Sequence, residues 1–173
     1  SPTSKHYSLD PGTSLQDKLT IINDGESDYD FSLYARPYSV KGVDYQPEFN
    51  KVTDTTNVYT WIQFQQTEYH LMAGQRVDVP YTLTVPSNAA SGGHYGVIFA
   101  ETVASKDGSQ SVVRQKRVGS IMYVTVKGNN VQSGMVDRTQ VPFLQTKTPL
   151  SATSDVMNHG NVDFDDNTSL IVK

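Results

Sequence analysis

The chain has 173 residues and a formal net charge of -4, with 18% of its residues charged and no block of basic side chains. That length holds one domain with a real core, or one domain and part of another, and the charge lacks the footprint of a nucleic-acid binder. With 0 cysteines, a disulfide framework and a thiolate metal site are excluded, and no run of about 20 apolar residues offers a membrane-spanning helix.

Ten Tyr, six Phe and many Val and Thr suit a pleated, half-buried surface, and the apolar spacing is that of strands. Leu15, Leu19 and Ile21 share one parity, and Phe31, Leu33 and Ala35 share another. Between them, Asn23-Asp24-Gly25-Glu26-Ser27-Asp28 is a strong turn signal. Residues 14–23 and 29–37 therefore read as two sequential strands joined as a hairpin. Residues 39–59 have no clear period and carry Gly42, Pro47, Asn50 and Asp54. They read as a long loop of the kind that often carries function.

Val77, Val79, Tyr81, Leu83 and Val85 alternate with polar residues and Pro80. This is a strand with one buried face, and Pro80 places it at an edge or bulge. Residues 86–93 form a loop. Tyr95, Val97, Phe99 and Glu101 alternate with Gly96, Ile98 and Ala100, the mark of a central strand. Asp107-Gly108 turns the chain, and residues 112–118 and 121–126 supply two last strands. Lys116 and Arg117 read as solvated strand residues. Strands at spacings of roughly 8–12 residues with turn punctuation argue an all-β, immunoglobulin-like antiparallel β-sandwich.

That domain is expected to span residues 1–127, with Gly128-Asn129-Asn130 as a hinge and residues 128–145 as a linker. A weak internal repeat follows. Asn158-His159-Gly160 precedes Asp163-Phe164, as Asn23-Asp24-Gly25 precedes Asp30-Phe31, and Leu170-Ile171-Val172 follows as Leu33-Tyr34-Ala35 does. Residues 146–173 are thus the expected start of a second, similar sandwich. So short a piece buries no core alone, so the chain is a truncation, or this tail packs on the first domain or on another copy.

Several of these segments together resemble a known family. They are Leu9-Asp10-Pro11-Gly12, Asn23-Asp24-Gly25, Trp61-Ile62, Leu71-Met72-Ala73-Gly74-Gln75, Val85-Pro86-Ser87-Asn88-Ala89, Gly92-Gly93-His94-Tyr95-Gly96 and the later Asn158-His159-Gly160-Asn161-Val162. The pattern resembles the N-terminal domain of the WxL-interacting proteins plus the start of their second sandwich. The resemblance implies a secreted bacterial surface protein whose first domain binds peptidoglycan and whose second binds a host ligand, followed by a membrane helix that this sequence does not include. A chain beginning at Ser1 without Met fits a processed protein, with any signal or anchor outside the sequence.

The residues themselves argue against catalysis. His6, His70, His94 and His159 are scattered without metal spacing and read as surface or strand histidines. No nucleophile elbow and no phosphate-binding glycine loop is present. Asp163, Asp165, Asp166 and Asn167 read as a solvated turn because the pattern of a calcium loop is incomplete. Glu26, Asp28 and Asp30 read as an exposed turn. No cofactor, no metal and no enzymatic activity are expected. The aromatic residues carry the binding hypothesis. Tyr34, Tyr38, Tyr45, Phe49 and Tyr59 gather around the 39–59 segment, with Trp61 at its end and Arg36 and Asn57 as polar neighbours. Tyr34, Arg36, Tyr38, Tyr45, Tyr59 and Trp61 are the candidate ligand-binding residues, although Trp61 reads first as core, like the strand-C Trp of immunoglobulin domains. The expected role is a non-catalytic cell-surface module that binds cell-wall peptidoglycan or another wall glycan. The alternative is a structural or protein–protein interaction module of a surface complex, docking through an exposed strand edge.

Overall fold

The computed structural model describes residues 4–42, 44–103, 116–141, 152–165 and 169. Among them run strands β1 (Ser4–Leu9), β2 (Ser14–Ile22), β3 (Tyr29–Pro37), β4 (Ser39–Lys41), β5 (Gln46–Glu48), β6 (Ile62–Phe64), β7 (Glu68–Leu71), β8 (Arg76–Thr84), β9 (Gly92–Thr102), β10 (Arg117–Val126), β11 (Gly134–Gln140) and β12 (Thr153–Asn158), with a single 3-10 turn at Val58–Thr60. One sheet has the order β1-β10-β9-β3-β7 and a second the order β2-β8-β6. Every pairing is antiparallel except that of β1 with β10.

Alternation explains how the sheets meet. Val79, Tyr81 and Leu83 of β8 are buried while Asp78, Pro80 and Thr82 face outward. They pack with Leu19 and Ile21 of β2 against Phe31 and Leu33 of β3, Ile98 and Ala100 of β9, and Met122, Val124 and Val126 of β10. Each fully buried aliphatic or aromatic side chain of this kind contributes roughly 1.5–3 kcal/mol of burial. The result is an immunoglobulin-like β-sandwich. A polar clasp joins β1 of one sheet to β2 of the other. Lys5 Nζ lies 2.7 Å from Asp17 Oδ2, Tyr7 donates to the same oxygen at 2.6 Å, and the Tyr7 and Tyr81 hydroxyls are 2.5 Å apart. The buried Tyr81 ring thus satisfies its hydroxyl at the sheet rim.

Several sequence expectations are corrected. Residues 14–22 and 29–37 are strands, but not a hairpin: β2 and β3 belong to different sheets. Asn23 is buried and holds the corner. Its Oδ1 accepts from Gly25 N at 3.1 Å, and its Nδ2 donates to Ser27 O at 2.9 Å and to Leu71 O at 3.2 Å. The strand with Pro80 is central in its sheet. Pro80 is tolerated because β6 ends opposite Tyr81, so that flank is already an edge at Pro80. The 39–59 segment is not wholly irregular. It holds the β4–β5 hairpin, turned by Gly42 (φ 68) and Tyr45 (φ 51), too short to show a period. The last strands of the sandwich are one strand, β10, running through Gly119-Ser120. Residues 112–115 and the Asp107-Gly108 turn lie outside the described residues.

Past β10, the expected linker contains β11, which pairs with β12. The Asn repeat is real in three dimensions. Asn158 Oδ1 accepts from Gly160 N at 2.8 Å and Asn158 Nδ2 donates to Val162 O at 2.9 Å, the same two bonds that Asn23 makes across its corner. The segment after this turn packs on the first sandwich. Val162 is 6% exposed, Gly93 N donates to Asn161 O at 2.6 Å, and Tyr95 donates to Asp163 at 2.6 Å. Gly92 (φ +124) admits the Asn161 carbonyl, which a Cβ there would strike at 2.5 Å. Asp166, Asn167 and residues 170–172 lie outside the described residues. No helix among the described residues is long and apolar enough to cross a membrane.

Candidate functional site

The inner face of the five-stranded sheet builds the core, and its outer face carries a second, aromatic layer. Residues at matching parity on β1, β3, β9 and β10 place His6, Tyr34, Tyr95, Phe99 and Tyr123 on that face. Tyr38 and Phe49, on either side of the β4–β5 hairpin, lie over it. The rings form one connected run. His6 stacks on Tyr123 at 4.6 Å, and Tyr123 meets Tyr95 edge-on at 5.8 Å and Tyr38 at 6.3 Å. Tyr38 continues to Phe49 at 6.2 Å, Phe49 to Phe99 at 5.0 Å, and Phe99 to Tyr34 at 5.5 Å. These separations are those at which aromatic pairs attract through their quadrupoles.

Two guanidinium groups sit on the far end of the run. Arg117 lies 4.5 Å from the Phe99 centroid and 5.8 Å from that of Phe49, and Arg36 lies 5.4 Å from that of Tyr34. Such stacking is a cation–π attraction. Gly119 makes it possible, since a Cβ there would stand 2.8 Å from Phe99 and 3.1 Å from Val97. Together with Glu48 and Asn50, these residues line a shallow cleft of about 410 Å³.

The phenols of Tyr34, Tyr95 and Tyr123 are neutral hydrogen-bonding groups. Burial raises the pKa of Tyr34, and its bond to Glu101 adds to this against the opposing pull of Arg117. Burial and then Tyr38 push Tyr123 up to about 12. Burial and the Asp163 carboxylate raise Tyr95. Groups held neutral in this way stack and donate hydrogen bonds, and are not activated as nucleophiles. Among the described residues, no three His, Asp or Glu side chains are grouped to hold a metal.

The predicted site residues separate into three sets. Tyr34, Arg36 and Tyr38 come together on the outer face. Tyr45 stands at the tip of the β4–β5 hairpin, 73% exposed, and Tyr59 is half-buried on the 3-10 turn; neither has a ring partner among the described residues. Trp61 is a correction to the ligand list. It is 5% exposed and packs in the core, its ring 4.9 Å from that of the buried His94. The His94 ring nitrogens lie 3.0 Å from Asn57 Oδ1 and 2.8 Å from Ala90 O, so Asn57 is engaged inside. His6, Tyr95, Phe99, Arg117 and Tyr123 escaped the sequence reading as site residues. Their signal is aromatic or basic side chains on the outward parity of strands that only the fold makes neighbours.

No protein-family model matches the chain, and no curated protein matches it. Solved structures do. A class 5 fimbriae chaperone, CfaA, is similar with a TM-score of 0.55 at 12% identity over 93% of this chain and 66% of that one. A chaperone–tip adhesin complex of CFA/I fimbriae biogenesis is similar with a TM-score of 0.54 at 14% identity over 93% of this chain and 65% of that one. The CsuC–CsuE chaperone–tip adhesion subunit pre-assembly complex from the Csu pili of Acinetobacter baumannii gives a TM-score of 0.52 at 12% identity, over 92% and 70%. The chain thus spans about two thirds of the length of the first two solved chains. At these identities the shared property is the sandwich fold.

Proposed function

We propose that this chain is a non-catalytic binding module of the bacterial cell surface, and that the outer face of its five-stranded sheet holds cell-wall glycan. The observation that carries this reading is the connected run of seven rings from His6 to Tyr34. Phe99 is buried beneath the run, while the other six rings are half-buried or exposed and remain open to a ligand. Sugar rings present apolar C–H faces that lie flat on aromatic rings, while Arg36, Glu48 and Asn50 stand beside them for hydroxyl groups. The central strands β9 and β3 pair on both sides, so a ligand on this face is read by side chains rather than by strand addition. The resemblance to the first domain of the WxL-interacting proteins supports the same reading.

A protein partner is the second reading. The chaperones that share this fold are seen in complexes with tip adhesin subunits. The β11–β12 hairpin leaves Met135 53% and Met157 46% exposed, opposite one another in register.

Co-sedimentation with protein-stripped wall sacculi, at low and at physiological salt, separates the two readings. The glycan reading predicts saturable retention that survives salt. It also predicts that Tyr38→Ala weakens retention roughly five-fold, for the loss of about 1 kcal/mol of stacking. Retention equal for the variant and the parent removes the aromatic face from the account. Absence of retention moves the weight to the protein partner.

A further inference from the structure

We propose that Arg36 and Arg117 read a carboxylate on the ligand, so that the glycan held on this face is an acidic sugar of the uronate class. This rests on the glycan reading above and narrows it. Both arginines are exposed, and neither has an ion-pair partner among the described residues, although acidic side chains outnumber basic ones in the chain, 18 to 14. They are instead laid on rings: Arg117 over Phe99 and Phe49, Arg36 over Tyr34.

A guanidinium stacked on a ring keeps its N–H donors in its own plane, pointing past the ring edge. Arg117 stands near the Tyr34 phenol, whose pKa it pulls down against burial and Glu101. The guanidinium fork matches a flat two-oxygen acceptor in the same plane. The rings beneath fix the orientation of the fork, so less side-chain freedom is lost when the acceptor arrives. A sugar carboxylate projects from the rim of a ring whose face is free to lie on an aromatic side chain. The cleft supplies both parts side by side: the half-buried rings of Tyr34 and Phe49, and the guanidinium groups of Arg36 and Arg117. Glu101 stands opposite Arg117 in register, and its carboxylate accepts from the Tyr34 hydroxyl. Net repulsion from an acidic protein is offset locally, where Arg36 and Arg117 face the cleft beside a single lining carboxylate, Glu48.

The test titrates the full chain with three soluble probes and reads binding by calorimetry: an oligogalacturonate, a neutral chito-oligosaccharide of equal length, and an oligoglutamate peptide. The expected result is binding of oligogalacturonate roughly ten-fold tighter than the neutral oligomer. That preference should vanish in Arg36→Gln/Arg117→Gln, with the oligogalacturonate falling to the affinity of the neutral oligomer. Arg117→Lys should recover little of it, because an ammonium lacks the fork. Circular dichroism confirms that the variants fold. Equal binding of the two oligosaccharides by the parent chain overturns the inference and leaves the glycan reading standing. So does a preference that survives in the double variant. Arginine-dependent binding of the peptide without the uronate overturns it too, and assigns the cleft to a protein partner. If neither oligosaccharide nor sacculi bind, the glycan reading fails and this inference with it.

Discussion

Asn161→Ala tests how the segment after β12 is fastened to the first sandwich. The Asn161 side chain makes three hydrogen bonds, one to Val131 of its own unit and two that reach Ser91 of the sandwich and the hinge residue Asn129. Its Oδ1 accepts from Val131 N at 2.7 Å, and its Nδ2 donates to the carbonyls of Ser91 and Asn129 at 3.1 Å each. Each lies at an exposed rim where water replaces the lost partner, so each is worth about 0.7 kcal/mol, and the two that cross the junction together about 1.4 kcal/mol. The backbone bonds of Asn161 to Gly93 and Val131 survive the change, as does the core. The docked state of the β11–β12 unit should therefore fall roughly ten-fold against the released state, without unfolding the sandwich. Native-state hydrogen exchange read by mass spectrometry measures this directly. Peptides from β11 and β12 should lose protection by roughly that factor, with peptides from β8 unchanged. Equal loss in β8 would refute the reasoning by showing one cooperative unit; no loss in the hairpin would show that the bonds to Ser91 and Asn129 do not hold it.

Trp61→Ala should lower stability by about 3–5 kcal/mol, seen as a large fall in the urea midpoint, because the ring is core; loss of glycan binding with the midpoint unchanged would return Trp61 to the surface. Gly119→Val should displace the Phe99 ring that already crowds the Gly119 position. We expect roughly 1–3 kcal/mol of destabilisation together with weaker retention on sacculi, and full retention would contradict the placement of Arg117 and Phe99 at the site. The clasp between β1 and β2 should fail in acid. Burial alone would raise the Asp17 pKa, but the bonds from Lys5 and Tyr7 outweigh it and hold the carboxyl at about 2, below its ordinary 3.8. The folded carboxyl therefore binds its proton less readily than the unfolded one. Its stabilisation is complete above about pH 5 and is lost as pH falls from about 4 to 2. Solvent screening of this part-exposed pair brings it to about 1 kcal/mol. Urea midpoints at pH 2, 3, 4 and 6 should show that drop in the parent and a flatter profile in Asp17→Asn; parallel profiles would mean that the clasp carries no charge coupling.

Strand identity was legible wherever one face of a strand meets the core and the other meets water, because alternation then appears in the sequence. The strands with Val79, Tyr81 and Leu83, and with Leu19 and Ile21, are of that kind. β1 carries no such signal, because its inward side is half-buried rather than core and includes Lys5, whose stem packs while its ammonium reaches Asp17. The partition of β2 and β3 between two sheets was hidden because a buried Asn corner and a hairpin turn use the same residues. What separates them is the bond from Asn23 to Leu71 O, a partner 48 residues away. The site was half legible. Tyr34, Arg36 and Tyr38 are near one another in the chain and were seen together. Phe99, Arg117, Tyr123 and His6 join them only through the register that sets Tyr34 opposite Phe99, Phe99 opposite Gly119 and His6 opposite Tyr123. Trp61 shows the converse, an aromatic residue beside the cluster in sequence and inside the core in space.

The central claim is that ligand lies on the outer face of the five-stranded sheet. The direct measurement is amide and aromatic chemical-shift mapping of the isotope-labelled chain during titration with glycan fragments solubilised from stripped sacculi by muramidase. The account predicts saturable shifts at Tyr34, Arg36, Tyr38, Phe49, Phe99, Arg117 and Tyr123, with β2 and β8 silent. Shifts confined to β2, β8 or the β11–β12 hairpin, or none at all at saturating fragment, would contradict it.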